Sequence, residues 1–178
     1  MASPETDRIS SYADALFAVA HAEGTLDEVS DELFRFARAL EGSDELRTAL
    51  TDAHLPASRR QQIVEDLLGG KANGTTVSLV SMVIGAGRSH DLPAIIDSLV
   101  AKAAASENRA VAEVRSAIEL TDDQRTRLAS AIQQATGKAV EVKVVIDPTV
   151  LGGLVTTVGD TVIDGSVKTR LDQMRNAL

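Results

Sequence analysis

The chain contains no cysteine and no tryptophan. The first absence removes disulfides, thiolate nucleophiles and Cys-ligated zinc together. Aromatic residues are scarce: Tyr12, Phe17, Phe34 and Phe36 are the whole set, so everything after Phe36 lacks a ring on which a base could stack. No apolar run approaches the roughly 18 residues that a membrane-spanning helix needs. The opening MASPETDRISS lacks the basic-then-apolar layout of a signal peptide, and the expectation is a cytosolic protein. Basic residues are in deficit, with 18 Lys and Arg against 26 Asp and Glu and a net charge of −8. The deficit is uneven: residues 1–105 carry 16 acids against 9 bases, and residues 106–178 carry 10 against 9. Such a chain has no basic footprint for non-specific nucleic-acid binding. Its three histidines, His21, His54 and His90, are too scattered to make a local metal motif.

What is present is an ordinary globular composition, 44% hydrophobic and 25% charged over 178 residues, enough for a core in one or two domains. Ile9, Tyr12, Ala13, Leu16, Phe17 and Ala20 recur at helical spacing, predicting a first helix that starts near Ser10 or Ser11 and stops at Gly24. Thr25 with Glu28 reads as a capping box for a second helix, lined by Leu26, Val29, Leu33, Phe36, Ala37 and Leu40 and closed by Gly42. A short third helix runs from Asp44 to Leu50. Ser58 with Gln61 offers a second capping box, for a helix carrying Ile63, Val64, Leu67 and Leu68 to Gly69-Gly70. The polar stretch Gly70 to Thr76 reads as a loop. The fifth helix, Thr76 to about Ala86, is apolar nearly all round, as expected of a helix buried on most sides or covered by a partner. Asp91 caps a sixth, with Pro93 in its first turn and Ile95, Ile96, Leu99, Val100 and Ala103 on its inner face.

From Ala110 the period changes from helical to alternating, with Ala112, Val114, Ser116 and Ile118 facing one way. Thr121 with Gln124 forms a third capping box, and the helix after it shows Leu128, Ala131, Ile132 and Ala135 before Gly137. Val140 to Ile146 alternates again, which makes a βαβ unit. Asp147-Pro148-Thr149 turns the chain, Gly152-Gly153 lets it bend, and Gly159-Asp160 joins Leu154–Val158 to Thr161–Ile163 as a hairpin. Ser166 then caps a last helix with Val167, Leu171, Met174 and Leu178 on one face. The expected fold is therefore α+β with two domains: a six-helix bundle over 1–107, and over 108–178 a small α/β domain of βαβ, hairpin and C-terminal helix.

No chemistry-bearing constellation accompanies this layout. Lys71 is followed by Ala72, so the phosphate-loop pattern fails, and Gly85-Ala86-Gly87 lacks the third glycine of a dinucleotide fingerprint. Ser166 has no nucleophile-elbow context. Asp147, Asp160 and Asp164 sit at turns, where carboxylates commonly cap backbone. No catalytic, cofactor-binding or metal-ligating residue is assigned.

The block from Val144 to Arg170 carries a Asp-Pro-Thr, a Gly-Gly, a Gly-Asp and an Ile-Asp-Gly-Ser-Val followed by a basic helix, in the order and spacing of a known C-terminal signature. In this it resembles the delta subunit of F-type ATP synthases, the family of the mitochondrial oligomycin sensitivity conferral protein. Tyr12-Ala13-x-Ala15-Leu16-Phe17, Gly87-Arg88 with Leu92 and Ile95, and Ala112-x-Val114-x-Ser116-Ala117 with Leu120 are similar to its earlier segments. The resemblance implies a non-catalytic stator subunit on the cytoplasmic face of the cell membrane, peripheral and without direct membrane insertion. Its bundle would hold N-terminal helices of the alpha subunits of the catalytic head, and its second domain the C-terminal end of the peripheral stalk b subunit. It implies no cofactor and no nucleic acid. By analogy the head surface comprises Tyr12, Ala15, Leu79, Met82, Val83 and Ala86, each with a place in the core as the alternative. A basic edge of Lys168, Arg170 and Arg175 would meet the stalk. The rival expectation is a nucleotide- or ligand-binding α/β domain behind a helical adaptor.

Overall fold

The computed structural model describes residues 4–150, 152–159 and 161–165. The chain divides into two compact units, Met1–Ala103 and Ala104–Leu178. The last helix expected from sequence, from Ser166 onward, lies outside the described residues, as does Asp160.

The first unit is built from α1 (Pro4–Ala22), α2 (Leu26–Gly42), α3 (Asp44–Thr51), α4 (Ala57–Leu68), α5 (Gly74–Gly85), a 3-10 turn (Ser89–Asp91) and the greater part of α6 (Leu92–Ser106). Its core is the set of positions that the helical period selects: Leu16, Leu33, Leu40, Val80, Ile84 and Ile96 are among the side chains with no more than 1% of their surface exposed. Burying each such side chain is worth about 1.5–3 kcal/mol. Arg38 of α2 closes the seam to α6, lying 4.9 Å over the Phe34 ring and ion-pairing with Asp97 and Glu41.

The starts of α1, α4 and α5 and the cap of α2 differ from the sequence reading. α1 begins at Pro4 rather than near Ser10, with Pro fitting a first turn that needs no N–H and with Glu5 and Asp7 favouring the helix's positive end. Thr25 makes no capping bond, because its ψ of 17° leaves the extended region from which a cap side chain reaches back to the helix amides. Ser58 makes none either: α4 starts at Ala57 after an extended Pro56, which puts Ser58 inside the first turn. The Gln61 side chain instead donates Nε2–H to the Ser81 carbonyl at 2.8 Å, tying α4 to α5.

α5 starts at Gly74, inside what reads as a polar loop, and its start is assembled from three helices. Asn73 caps it by accepting the Thr75 N–H at 2.9 Å. Glu32 of α2 accepts the Asn73 N–H on both carboxylate oxygens, at 2.9 and 3.1 Å. The same carboxylate accepts from the fully buried Thr76 hydroxyl at 2.5 Å. Glu28 accepts from Asn73 Nδ2 at 2.9 Å, and Glu23, just past α1, from the Thr75 hydroxyl at 2.9 Å.

The second unit is a four-stranded mixed sheet with one covering helix among the described residues. It comprises β1 (Ala110–Ser116), α7 (Asp122–Thr136), β2 (Val140–Ile146), β3 (Leu154–Val158) and β4 (Thr161–Asp164), in spatial order β2-β1-β3-β4. β1 and β2 are parallel, with Val114 opposite Val144. β3 runs antiparallel to β1, with Thr156 opposite Val114, and β4 antiparallel to β3, with Thr161 opposite Val158. The βαβ unit and hairpin are therefore as the alternation of the sequence implies. Thr121 and Gln124 form the full reciprocal capping box, and Gly137 closes α7 at φ 73°, a conformation that glycine adopts without a Cβ penalty. The helix face against the sheet is Leu128, Ala129 and Ile132, packed on Ala112, Val140 and Val158. Ala131 and Ala135, expected on that face, are exposed. On the opposite sheet face Lys143 is buried to 3% exposure and pairs with Glu141 at 2.5 Å.

Ile132 is the one α7 side chain that is fully in this core. Ile132→Ala should destabilise the second unit by about 2–5 kcal/mol in urea unfolding. A loss below about 1 kcal/mol would mean that α7 is not seated on the sheet as described.

Candidate partner-binding surfaces

α5 presents its candidate residues on two sides. Leu79 and Val83 point inward, at 3% and 0% exposure. Met82 points outward at 45% exposure, a large apolar side chain on the surface of the helix. Ala86 follows as the exposed C-cap residue, its N–H returning to the Met82 carbonyl at 3.0 Å. On α1, Tyr12 is half-buried and Ala15 exposed. The period analysis did not single out Val19, which is 40% exposed and lies one turn beyond Ala15 on the same helix side. Its signal was present in the i, i+4 spacing of Ala15 and Val19, outside the stripe of Ala13, Leu16 and Ala20 that enters the core. The two helices are joined at one end by the Thr75–Glu23 hydrogen bond.

In the second unit the residues of the turn after β2 form a local knot. Asp147 Oδ1 accepts from the Thr149 hydroxyl at 2.6 Å and from the Thr149 N–H at 2.9 Å. Arg115 lies 3.6 Å from the other carboxylate oxygen. The Asp147 N–H donates to the Ser116 carbonyl at 2.8 Å, and the Val150 N–H to the Asp147 carbonyl at 3.1 Å, so the turn is fastened to the end of β1. The Thr149 hydroxyl, then the Thr149 N–H, with a smaller contribution from Arg115, hold the Asp147 carboxyl below its ordinary value of 3.8. Gly152 and Gly153 both take φ 79°, where a side chain would be strained.

Next to this knot an apolar groove of about 610 Å³ opens, lined by Ile118, Leu120, Leu128, Gly152, Gly153 and Leu154 among others. Ile118 is the surprise. The alternation of β1 places it inward, but β1 ends at Ser116, whose hydroxyl accepts the Ile118 N–H at 3.3 Å and turns the chain. Ile118 is consequently 71% exposed. Asp164 is an exposed end of β4. Lys168, Arg170 and Arg175 lie outside the described residues.

The chain matches the family model described as the ATP synthase delta (OSCP) subunit over residues 9–178. It is 43% identical over 165 residues to the ATP synthase subunit delta of Nocardia farcinica, covering 93% of this chain and 61% of that one. With the same subunit of Streptomyces avermitilis it shares 39% identity over 173 residues, covering 97% and 63%. With that of Kineococcus radiotolerans it shares 40% over 176 residues, covering 99% and 63%. The chain thus spans about three fifths of the length of these curated relatives. Its fold matches a chain of the cryo-EM structure of the Toxoplasma gondii mitochondrial ATP synthase hexamer with a TM-score of 0.54 at 22% identity, covering 99% of this chain and 97% of that one.

The Asp147 knot carries a pH signature. A carboxyl whose pKa is lowered by folding stabilises the fold at pH values above its unfolded pKa and loses that contribution as pH falls through the folded one. Asp147→Asn should therefore be less stable than the parent chain at pH 7, with the difference shrinking below 3.8. Thermal melts of both proteins across acid pH give the measurement; a gap independent of pH would contradict the assigned hydrogen bonds.

Proposed function

The chain belongs to the ATP synthase delta (OSCP) subunit family, and from that premise we propose that it is a non-catalytic stator subunit of the F-type ATP synthase. The single observation that carries this is the family match across residues 9–178. In this reading the protein joins the catalytic head to the peripheral stalk on the cytoplasmic face of the membrane. The head is then kept from turning with the rotor, and proton-driven torque goes into ATP synthesis. No helix among the described residues is long and apolar enough to cross a membrane, which suits attachment through partners.

The helical unit, read as a six-helix bundle over 1–107, takes the N-terminal helices of the alpha subunits. Its contact set is Met82, Ala86, Tyr12 and Ala15, extended to Val19. Leu79 and Val83 support that surface from within the core, where their burial places them. The α/β domain over 108–178 takes the C-terminal end of the stalk b subunit, through the Ile118–Leu154 groove and the basic residues Lys168, Arg170 and Arg175. A stator needs a stiff joint rather than a reactive group. Two attachments on one chain make the second association intramolecular, a gain of roughly 100-fold or more over either alone.

Two substitutions on α5 separate surface from core. Met82→Asp should reduce capture of the catalytic head at least tenfold while the isolated protein keeps its melting temperature. Val83→Asp buries an unpaired charge and should cost about 4 kcal/mol or more, unfolding the helical unit. Full head capture by Met82→Asp would remove α5 from the head surface. For the other domain, deleting Gly165–Leu178 should abolish capture of the b subunit and leave head capture intact. Undiminished capture of the stalk would overturn the division of labour between the domains.

A further inference from the structure

An ordinary capping box is made within one helix: the N-cap side chain accepts an amide from the first turn, and a Glu or Gln at the fourth position reaches back to the N-cap N–H. In α5 the fourth position is Thr76, and the acceptor for the Asn73 N–H is Glu32, delivered from α2. We infer that Glu32 is a positioning residue that sets the rotation of α5 about its axis, and with it the outward presentation of Met82. This inference rests on the proposal that Met82 faces the catalytic head.

The reason lies in the composition of α5. Val77, Leu79, Val80, Met82, Val83 and Ile84 cover well over half of its circumference and the rest is small (Ser78, Ser81, Gly85), so a turn of the helix that exchanges one apolar edge, Met82, for the other, Val77, changes buried apolar area little. Starting the helix one residue earlier or later would turn it by about 100° and exchange Met82 for a neighbour on the exposed side. The bonds from Asn73 N–H and the Thr76 hydroxyl to one carboxylate exist at a single rotation and register. Thr76 is fully buried, so any other arrangement strands its hydroxyl without this partner, at the cost of an unmade buried hydrogen bond. A directional polar contact thus decides what the hydrophobic effect leaves nearly degenerate.

The test uses the full chain carrying Glu32→Ala, Glu32→Gln or Thr76→Val, with Val100→Ala in α6 as a core variant that weakens the same unit without touching α5's start. Two readouts are taken: capture of catalytic heads stripped of this subunit, and the methyl NMR signal of Met82, one of three methionines. Glu32→Ala and Thr76→Val should weaken capture about tenfold and shift or broaden the Met82 signal. Glu32→Gln, which keeps an acceptor oxygen, should fall between them and the parent. Val100→Ala should lower the melting temperature with less than about twofold loss of capture and an unmoved Met82 signal. If Glu32→Ala fails to fold, Thr76→Val, nearly isosteric, decides the question alone. An unmoved Met82 signal in Thr76→Val, or capture that falls only in proportion to melting temperature across all variants, would overturn the inference. If the parent chain itself captured no heads, the proposed function would fall, while the Met82 signal would still report on Glu32.

Discussion

Helix α5 is written in residues that favour other conformations. Between Gly74 and Gly85 it carries two glycines, two threonines, two serines, three valines and an isoleucine, a composition roughly 5 kcal/mol less helix-prone than alanine. It is helical because its neighbours require it: Leu79, Val80, Val83 and Ile84 are buried against the unit's interior, and α2 and Glu23, just past α1, supply acceptors for its first turn. α4 is tied to α5 through Gln61, and α2 through Glu28 and Glu32. α5 is thus a helix stabilised by its setting rather than by its own sequence.

The second unit reaches rigidity by a different route. β1 and β3 are the two inner strands, and β1 is paired parallel to β2 on one side and antiparallel to β3 on the other. The Asp147 turn is bonded back to its final carbonyl. The residues that make the family signature here are therefore fasteners: Asp147 closes a turn, and Gly152 and Gly153 supply backbone angles that other residues avoid. Their chemistry is conformational.

Local chemistry was legible in the sequence and remote chemistry was not. The Thr121–Gln124 box, the Gly137 stop, the alternation of β1 and β2 and the Gly159 hairpin each depend on residues within a few positions of one another, and each stands in the structure. Thr25 and Ser58 show the same logic failing. The pattern of a cap was present, but the backbone angle at Thr25 and the extended Pro56 before α4 decided otherwise. At the start of α5 the Asn73 cap on the Thr75 N–H is a local signal, but the Glu32 acceptor is not, because Glu32 and Asn73 are separated by 41 positions. For the candidate surfaces, periodicity identified α5 as unusual, yet its broad apolar face did not indicate whether edge residues such as Met82 face in or out. Only packing assigned Leu79 and Val83 to the core and Met82 to the surface. Ile118 was hidden for a related reason, since the Ser116 hydroxyl ends the strand two residues before the alternation does.

The central claim is that one chain makes two separate attachments, one from each unit. Because the chain has no cysteine, single cysteines can be placed at Met82 and at Ile118 without background and cross-linked within the assembled ATP synthase. The account predicts that Met82→Cys yields adducts with the alpha subunit alone and Ile118→Cys adducts with the b subunit alone. Adducts of both positions with the same subunit, or of neither position with any, would contradict it.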